Sequence, residues 1–289
     1  MKDKVIRAMT NDGAFRVIVA LTTETVQGAI TSQEATGIAA TRFGDLVTGS
    51  ILIREAMSPG LRVQAILKGG GGKGSIVADA NPDGTTRGLA QFPGATGEDM
   101  IGRGALLKMM RTLPNGAIHQ GIVEVSFDAA DGGISGALMA YMQNSEQIVS
   151  TIAVSTLLTD GLTDGKVRAA GGFIVELLPE VERGPLMIMT QRLEDFPKLE
   201  ELLEKPDLTP EILVEDLLYG MPYTHLAESS LSYGCSCNEL RLLSSLATLP
   251  KADIEDLVRD NEILEIQCDY CRKQYAIPPA ALRSLLMAN

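Results

Sequence analysis

Tryptophan is absent from this chain of 289 residues, aromatic residues make up 4% of it, histidine occurs twice and cysteine four times. Each shortage removes a class of function. Few aromatic faces leave little on which the bases of a single-stranded nucleic acid could stack. Lys and Arg number 25 against 37 Asp and Glu, a net charge of −12 with a pI near 4.7, which argues against any surface built to neutralise a phosphate backbone. No apolar run approaches the roughly 18 residues that a membrane-spanning helix needs, so neither nucleic acid nor membrane is an expected partner. Met1-Lys2-Asp3-Lys4 leads into a polar strand pattern instead of an apolar export signal, and the expected compartment is a reducing cytoplasm.

What the chain does have is an ordinary globular composition, 45% apolar and 21% charged, enough for one large core and a small second domain. The first part reads as strands interrupted by helices. Val5 to Thr10 and Ala14 to Thr22 flank Asn11-Asp12-Gly13, a hairpin signal because the turn demands positive φ. Glu24 to Ser58 reads as two helical segments divided around Gly44 and Gly49. Strands follow at Leu61 to Leu67, Ser75 to Ala80, Thr85 to Ala90, Ala105 to Met110 and Ile118 to Ser126. A short helix is expected over Gly133 to Ser145, and a strand pair at Gln147 to Leu157 and Lys166 to Leu178. Turns are expected at Asn81-Pro82-Asp83-Gly84, Leu113-Pro114-Asn115-Gly116, Thr159-Asp160-Gly161 and Thr163-Asp164-Gly165. Strands in runs, without alternating helices, predict an α+β domain over 1–179 and not a doubly wound sheet.

After Leu178-Pro179 the composition changes. Glu180 to Ser230 holds twelve acidic residues against four basic ones, −8 of the total −12, and still carries an apolar stripe at Leu193, Phe196, Leu199, Leu202 and Leu203. Thr209-Pro210-Glu211 starts a helix and Leu218-Tyr219-Gly220 stops it. The span 180–231 is therefore expected to be an acidic helical linker, folded only where its apolar face lies on a neighbour. A hairpin packed permanently on the sheet domain would have the same pattern.

All four cysteines lie in the last part, as Cys235-Ser236-Cys237 and Cys268-Asp269-Tyr270-Cys271, separated by the 30 residues from Asn238 to Gln267. Two local thiol pairs are the donor set of a tetrahedral zinc site, closed to substrate and hence structural. C-x-C is tighter than the usual ribbon half-site, and neighbouring thiolates that lose their ion can oxidise to disulfides, so the four sulfurs suit either a permanent lock or a redox trigger. Helices are expected at Asn238 to Leu249 and Lys251 to Val258. A strand pair is expected at Ile263 to Gln267 and Arg272 to Ile277, and a final helix from Pro278-Pro279 to Leu286. The 58 residues 232–289 can bury only a thin core, so a zinc site would hold this domain together.

Other motifs do not hold. Gly69-Gly70-Gly71-Gly72-Lys73-Gly74 satisfies G-x-G-x-x-G, but strand follows it where a dinucleotide site needs a helix, and Gly74 stands where a Walker loop needs Ser or Thr. Gly133-Ile134-Ser135-Gly136-Ala137 misses the hydrolase elbow by one residue, and His119 and His225 read as local hydrogen-bonding groups. No catalytic set is expected and the chain does not read as an enzyme. Two alternatives remain: a thiol oxidoreductase using Cys268 and Cys271, and a zinc-ribbon binding module.

Cys235-Ser236-Cys237-Asn238-Glu239-Leu240-Arg241 with Cys268-Asp269-Tyr270-Cys271 resembles the redox-switch domain of the bacterial 33-kilodalton chaperonin family. Arg42-Phe43-Gly44, Leu67-Lys68-Gly69-Gly70-Gly71, Ala78-Asp79-Ala80-Asn81, Arg87-Gly88, Tyr141-Met142-Gln143-Asn144-Ser145-Glu146-Gln147 and Ala170-Gly171-Gly172-Phe173 resemble its N-terminal blocks, in its order. Gly84 to Gly97 and Leu113 to Gln120 are only loosely similar, and Asn238 stands where the family often has Ser. The resemblance implies a cytoplasmic, ATP-independent holdase, inactive with one zinc on Cys235, Cys237, Cys268 and Cys271. It implies that oxidation joins Cys235 with Cys237 and Cys268 with Cys271, expels zinc and unfolds the switch region and linker. A homodimer that binds unfolding client proteins is implied as the active form.

Overall fold

The fold was obtained as a computed structural model, and residues 2–70, 74–91, 104–113, 115–126, 132–159, 165–179 and 181–287 are described. Residues 71–73 of the glycine run, residues 92–97 of Gly84 to Gly97, position 114, and positions 160–164 of the two expected turns lie outside them. The chain divides into two compact units, Met1–Gly234 and Cys235–Asn289.

The first unit is built on two sheets. One has the order β10-β1-β2-β9-β8, from β1 (Lys4–Thr10), β2 (Phe15–Leu21), β8 (Ser150–Leu158), β9 (Val167–Leu177) and β10 (Tyr223–Ser230). The other has the order β11-β5-β4-β3-β6-β7, from β3 (Arg62–Lys68), β4 (Ser75–Ala80), β5 (Thr85–Gln91), β6 (Ala105–Thr112), β7 (Ile118–Val125) and β11 (Ser232–Tyr233). All pairings are antiparallel except the short parallel contact of β11 with β5. The expected α+β class is what the chain adopts.

Helix α1 (Thr23–Gln33) and helix α2 (Gly37–Ala56) are separated at Glu34, whose left-handed φ of 52° ends the first. The expected division at Gly44 and Gly49 is therefore displaced. Both glycines lie inside α2, where an added Cβ would come within 2.4 Å of Thr156 and 2.5 Å of Leu138. They are there because neighbours press against the helix, not because it breaks. α2 touches β2, β8 and β9 of one sheet and β3, β4 and β5 of the other, and its long apolar run is buried between them. The helix expected over Gly133 to Ser145 is α3 (Gly133–Tyr141), continued by a π-turn at Met142–Glu146.

Strands β1, β2 and β9 are apolar on both faces. Val5, Ile18, Ala20 and Ile174 join α2 in the main core, while Ile6, Val17, Val19, Phe173 and Val175 point the other way. That second face is covered by residues 181–221, through α4 (Arg183–Asp195), α5 (Leu199–Leu203) and α6 (Pro210–Leu217). Leu199, Leu202, Leu203, Leu213, Val214 and Leu217 are buried there, and Phe196 meets Phe173 edge to face with ring centroids 5.8 Å apart. Thr209 caps α6, accepting from the Ile212 amide at 3.3 Å ahead of Pro210 in the first turn.

The acidic span does not stay helical to its end. Tyr223–Ser230 is β10, running antiparallel along the edge of β1. Its side chains are mostly exposed, so no alternation of apolar and polar residues announces it; backbone pairing alone makes it a strand.

Many N-terminal blocks that carry the family resemblance occupy structural positions. Asp79 is fully buried between Arg62 and Arg87, and Glu146 accepts from the Tyr141 hydroxyl at 2.6 Å with Arg111 at 3.0 Å. Ser135 lies in α3 and accepts from the Val154 amide at 3.1 Å, a contact that ties the helix to β8. The chain enters β4 at Ser75, directly after the glycine run, so no helix N-terminus is available there for a pyrophosphate.

Truncating Leu213, which is fully buried, should test how tightly residues 181–221 are held. Leu213→Ala should cost about 2–5 kcal/mol at this contact. Hydrogen exchange should then quicken over residues 183–217 while α2 keeps its protection.

Candidate metal centre

The second unit contains α7 (Glu239–Leu246), α8 (Lys251–Asp260), β12 (Leu264–Gln267), β13 (Gln274–Ile277) and α9 (Pro279–Met287), close to the elements expected from the sequence. Its fully buried apolar side chains, among the described residues, are Ile254, Ile277 and Leu282. Such a core is thin for a folded domain.

The four cysteines converge from two places. Cys235 and Cys237 precede α7, whose start is fixed by Asn238; the Asn238 side chain accepts from the Arg241 amide at 2.9 Å. Ser236, between the two cysteines, is bonded by the Arg241 guanidinium. Cys268 and Cys271 sit on the turn joining β12 to β13. There the Cys268 amide donates to the Lys273 carbonyl at 2.9 Å and the Arg272 amide to the Cys268 carbonyl at 2.8 Å, with Arg272 left-handed at φ 59°.

All four Sγ atoms lie within 4.8 Å of one another, half-buried and unbridged. Two contacts join one pair to the other: Cys235 to Cys268 at 3.8 Å and Cys237 to Cys271 at 3.3 Å. Four thiolates bonded at about 2.3 Å to one tetrahedral ion stand about 3.8 Å apart, so the spacing fits a single metal ion. The cysteine cluster can hold a metal ion.

The sulfurs are not electrostatically equivalent. Burial works to raise the Cys237 thiol, but hydrogen bonds from Tyr275 and the other three cysteines bring it down to about 7. Burial raises Cys268, and burial together with the neighbouring sulfurs pushes Cys271 up to about 12. The Tyr275 phenol is raised by its hydrogen bond to Cys237. Cys237 thus favours the thiolate, while Cys268 and Cys271 favour the protonated thiol.

Tyr275 was not among the residues singled out from sequence. It lies four residues past Cys271, on β13 opposite Ile266, and its hydroxyl is 3.1 Å from the Cys237 sulfur. Only strand alternation after the C-x-x-C could have pointed to it. The two histidines lie in the first unit and the cysteines in the second. His225 is exposed on β10, and His119 Nε2 is 3.7 Å from Glu146.

A two-sheet α+β body and a small unit gathering four thiols define a protein whose distinctive feature is a sulfur cluster able to hold a metal ion. The model of the Hsp33 protein family matches residues 3–278, and the chain belongs to that family. It is 29% identical over 296 residues to the 33 kDa chaperonin of Syntrophotalea carbinolica, covering 99% of this chain and 100% of that one. With the 33 kDa chaperonin of Streptococcus sanguinis it shares 28% identity over 98% of each chain. Its fold is that of the 33 kDa chaperonin (heat shock protein 33 homolog) of Thermotoga maritima, with a TM-score of 0.82 at 21% identity over 100% and 99% of the two chains.

Metal binding at this centre must displace protons from sulfurs whose pKa lies above neutrality, Cys268 and Cys271 among them. Acid favours the protonated, metal-free form, so apparent affinity should climb as pH rises from about 6 to 8, with protons released on binding. Chelator competition and calorimetry in buffers of different ionisation enthalpy check both, and Cys271→Ser should abolish tight binding.

Proposed function

We propose that this chain is a redox-regulated holdase chaperone whose four cysteines, Cys235, Cys237, Cys268 and Cys271, hold one zinc ion in the reduced, inactive state. The observation that carries this reading is the four-sulfur cluster in a unit with so little core. Zinc suits four thiolates, and bound there it would supply a closed structural cross-link with no position open to substrate. Apparent binding energy at such sites is about 10–16 kcal/mol, as large as the whole stability of a small domain.

The chain's own sulfurs do the switching. Cys235 with Cys237, and Cys268 with Cys271, each lose two electrons to an oxidant such as peroxide, which is reduced to water. The sulfurs in the two disulfides are then no longer thiolate donors. Without them residues 232–289 lose their fold. The linker 180–231 is continuous with that domain, Cys235 coming two residues after the end of β11. Its helices then leave the outer face of β1, β2 and β9, uncovering Ile6, Val17, Val19, Phe173 and Val175 on the core domain 1–179.

Exposed apolar surface of this kind captures unfolding client proteins and favours a homodimer. Met187, already 71% exposed, and Met189 and Met221, packed on the sheet, supply adaptable contacts. High negative charge keeps the complexes soluble. The cytoplasm, where thiols stay reduced until stress, is the matching compartment. Chaperone names among the relatives support client binding over an enzymatic role.

The test measures zinc, free thiols and aggregation of a heat-denatured reporter protein before and after peroxide. Expected is one zinc and four thiols per chain without protection, then neither zinc nor thiols and strong protection. Equal protection in both states would defeat the reading.

A further inference from the structure

We propose that Tyr275 is a positioning residue of the four-sulfur centre, its phenol hydroxyl donating to Cys237 and thereby setting how tightly metal is held and how readily the sulfurs oxidise. The inference rests on the metal-centre reading above and assigns a residue to it that is not a ligand.

The geometry is specific. The hydroxyl oxygen is 3.1 Å from Sγ of Cys237, within the 3.3 Å that separates that sulfur from Cys271. Tyr275 comes from the β12–β13 hairpin that carries Cys268 and Cys271, whereas Cys237 precedes α7, so the bond ties the two halves of the donor set together. Alternation along β13 puts Tyr275 on the same face as fully buried Ile277, which anchors the strand and holds the ring in place. The Lys273 ammonium lies 5.2 Å from the ring centroid, and a cation there withdraws electron density from the ring, strengthening the hydroxyl as a donor.

A thiolate ligand has lone pairs and no proton, so the phenol can only donate to it. That bond draws charge off the sulfur, keeps it oriented toward the shared ion and lowers its nucleophilicity toward an electrophilic oxidant. Tyr275 therefore favours the reduced, metal-loaded state without entering the coordination shell.

Tyr275→Phe removes one oxygen and leaves the ring. In the full-length protein loaded with zinc, it should weaken zinc affinity on the order of tenfold in chelator competition. Loss of thiols under fixed peroxide should quicken by a similar factor. Replacing Tyr275 with 3-fluorotyrosine, a stronger donor of nearly the same size, should shift both readouts the opposite way when measured below neutral pH. A residue that merely filled space would not produce opposite shifts. Should Tyr275→Phe fail to fold, the fluorotyrosine protein alone decides: tighter zinc and slower oxidation support the role, and unchanged values overturn it. Zinc-loaded wild type with both variants indistinguishable from it sinks this inference alone, whereas a wild-type protein that takes up no zinc sinks the reading of the centre and this inference with it.

Discussion

Apolar contact on the outer face of β1, β2 and β9 is the constraint around which the first unit is arranged. A sheet that is hydrophobic on one side needs a single cover, but these three strands are hydrophobic on both. One side is sealed by α2, a helix whose residues are buried between the two sheets. The other is sealed by the most acidic segment of the chain. Crowded carboxylates oppose compaction of α4 to α6, and their exposure on the outer surface keeps them in water while the leucines face inward. The cover therefore depends on the face it shields.

The second unit meets a different problem. Among the described residues, three fully buried aliphatic side chains leave most of its packing energy to be found elsewhere, and four polar thiols are gathered where a larger domain would place hydrocarbon. Cys237 draws hydrogen bonds from its neighbours and from Tyr275, which lower its pKa, while burial raises Cys268 and Cys271. A metal ion held there would replace the thiol protons with one shared charge. The same softness that makes thiolates good ligands makes them the most oxidisable groups in the chain.

Much of this was legible in the order of residues. Asn11-Asp12-Gly13 marked the first hairpin, the cysteine spacing marked the cluster, and most strands and helices fell within a few residues of their expected bounds. The departures have physical reasons. Gly44 and Gly49 looked like breaks because a glycine's local cost is visible in sequence, while the side chains pressing on it from β8 and α3 are not. β10 was missed because burial writes the alternating pattern by which strands are recognised, and β10 is held by backbone pairing with its side chains in solvent. Tyr275 was missed because spacing identifies ligands, whereas a donor to a ligand is defined only once β13 has folded back beside Cys237. Compactness separates the chain after Gly234, whereas composition changes near Leu178.

The sulfur contacts carry one more consequence. In the folded unit Cys235 contacts Cys268 and Cys237 contacts Cys271, partners distant in sequence. A bridge across such a pair would close a long ring, restrict the denatured chain and staple the unit shut by about 4 kcal/mol in the chain-entropy model. Bridges within C-x-C or C-x-x-C close rings so small that they contribute less than about 2 kcal/mol each. Choice of partner thus decides whether oxidant acts as glue or as solvent for this tail.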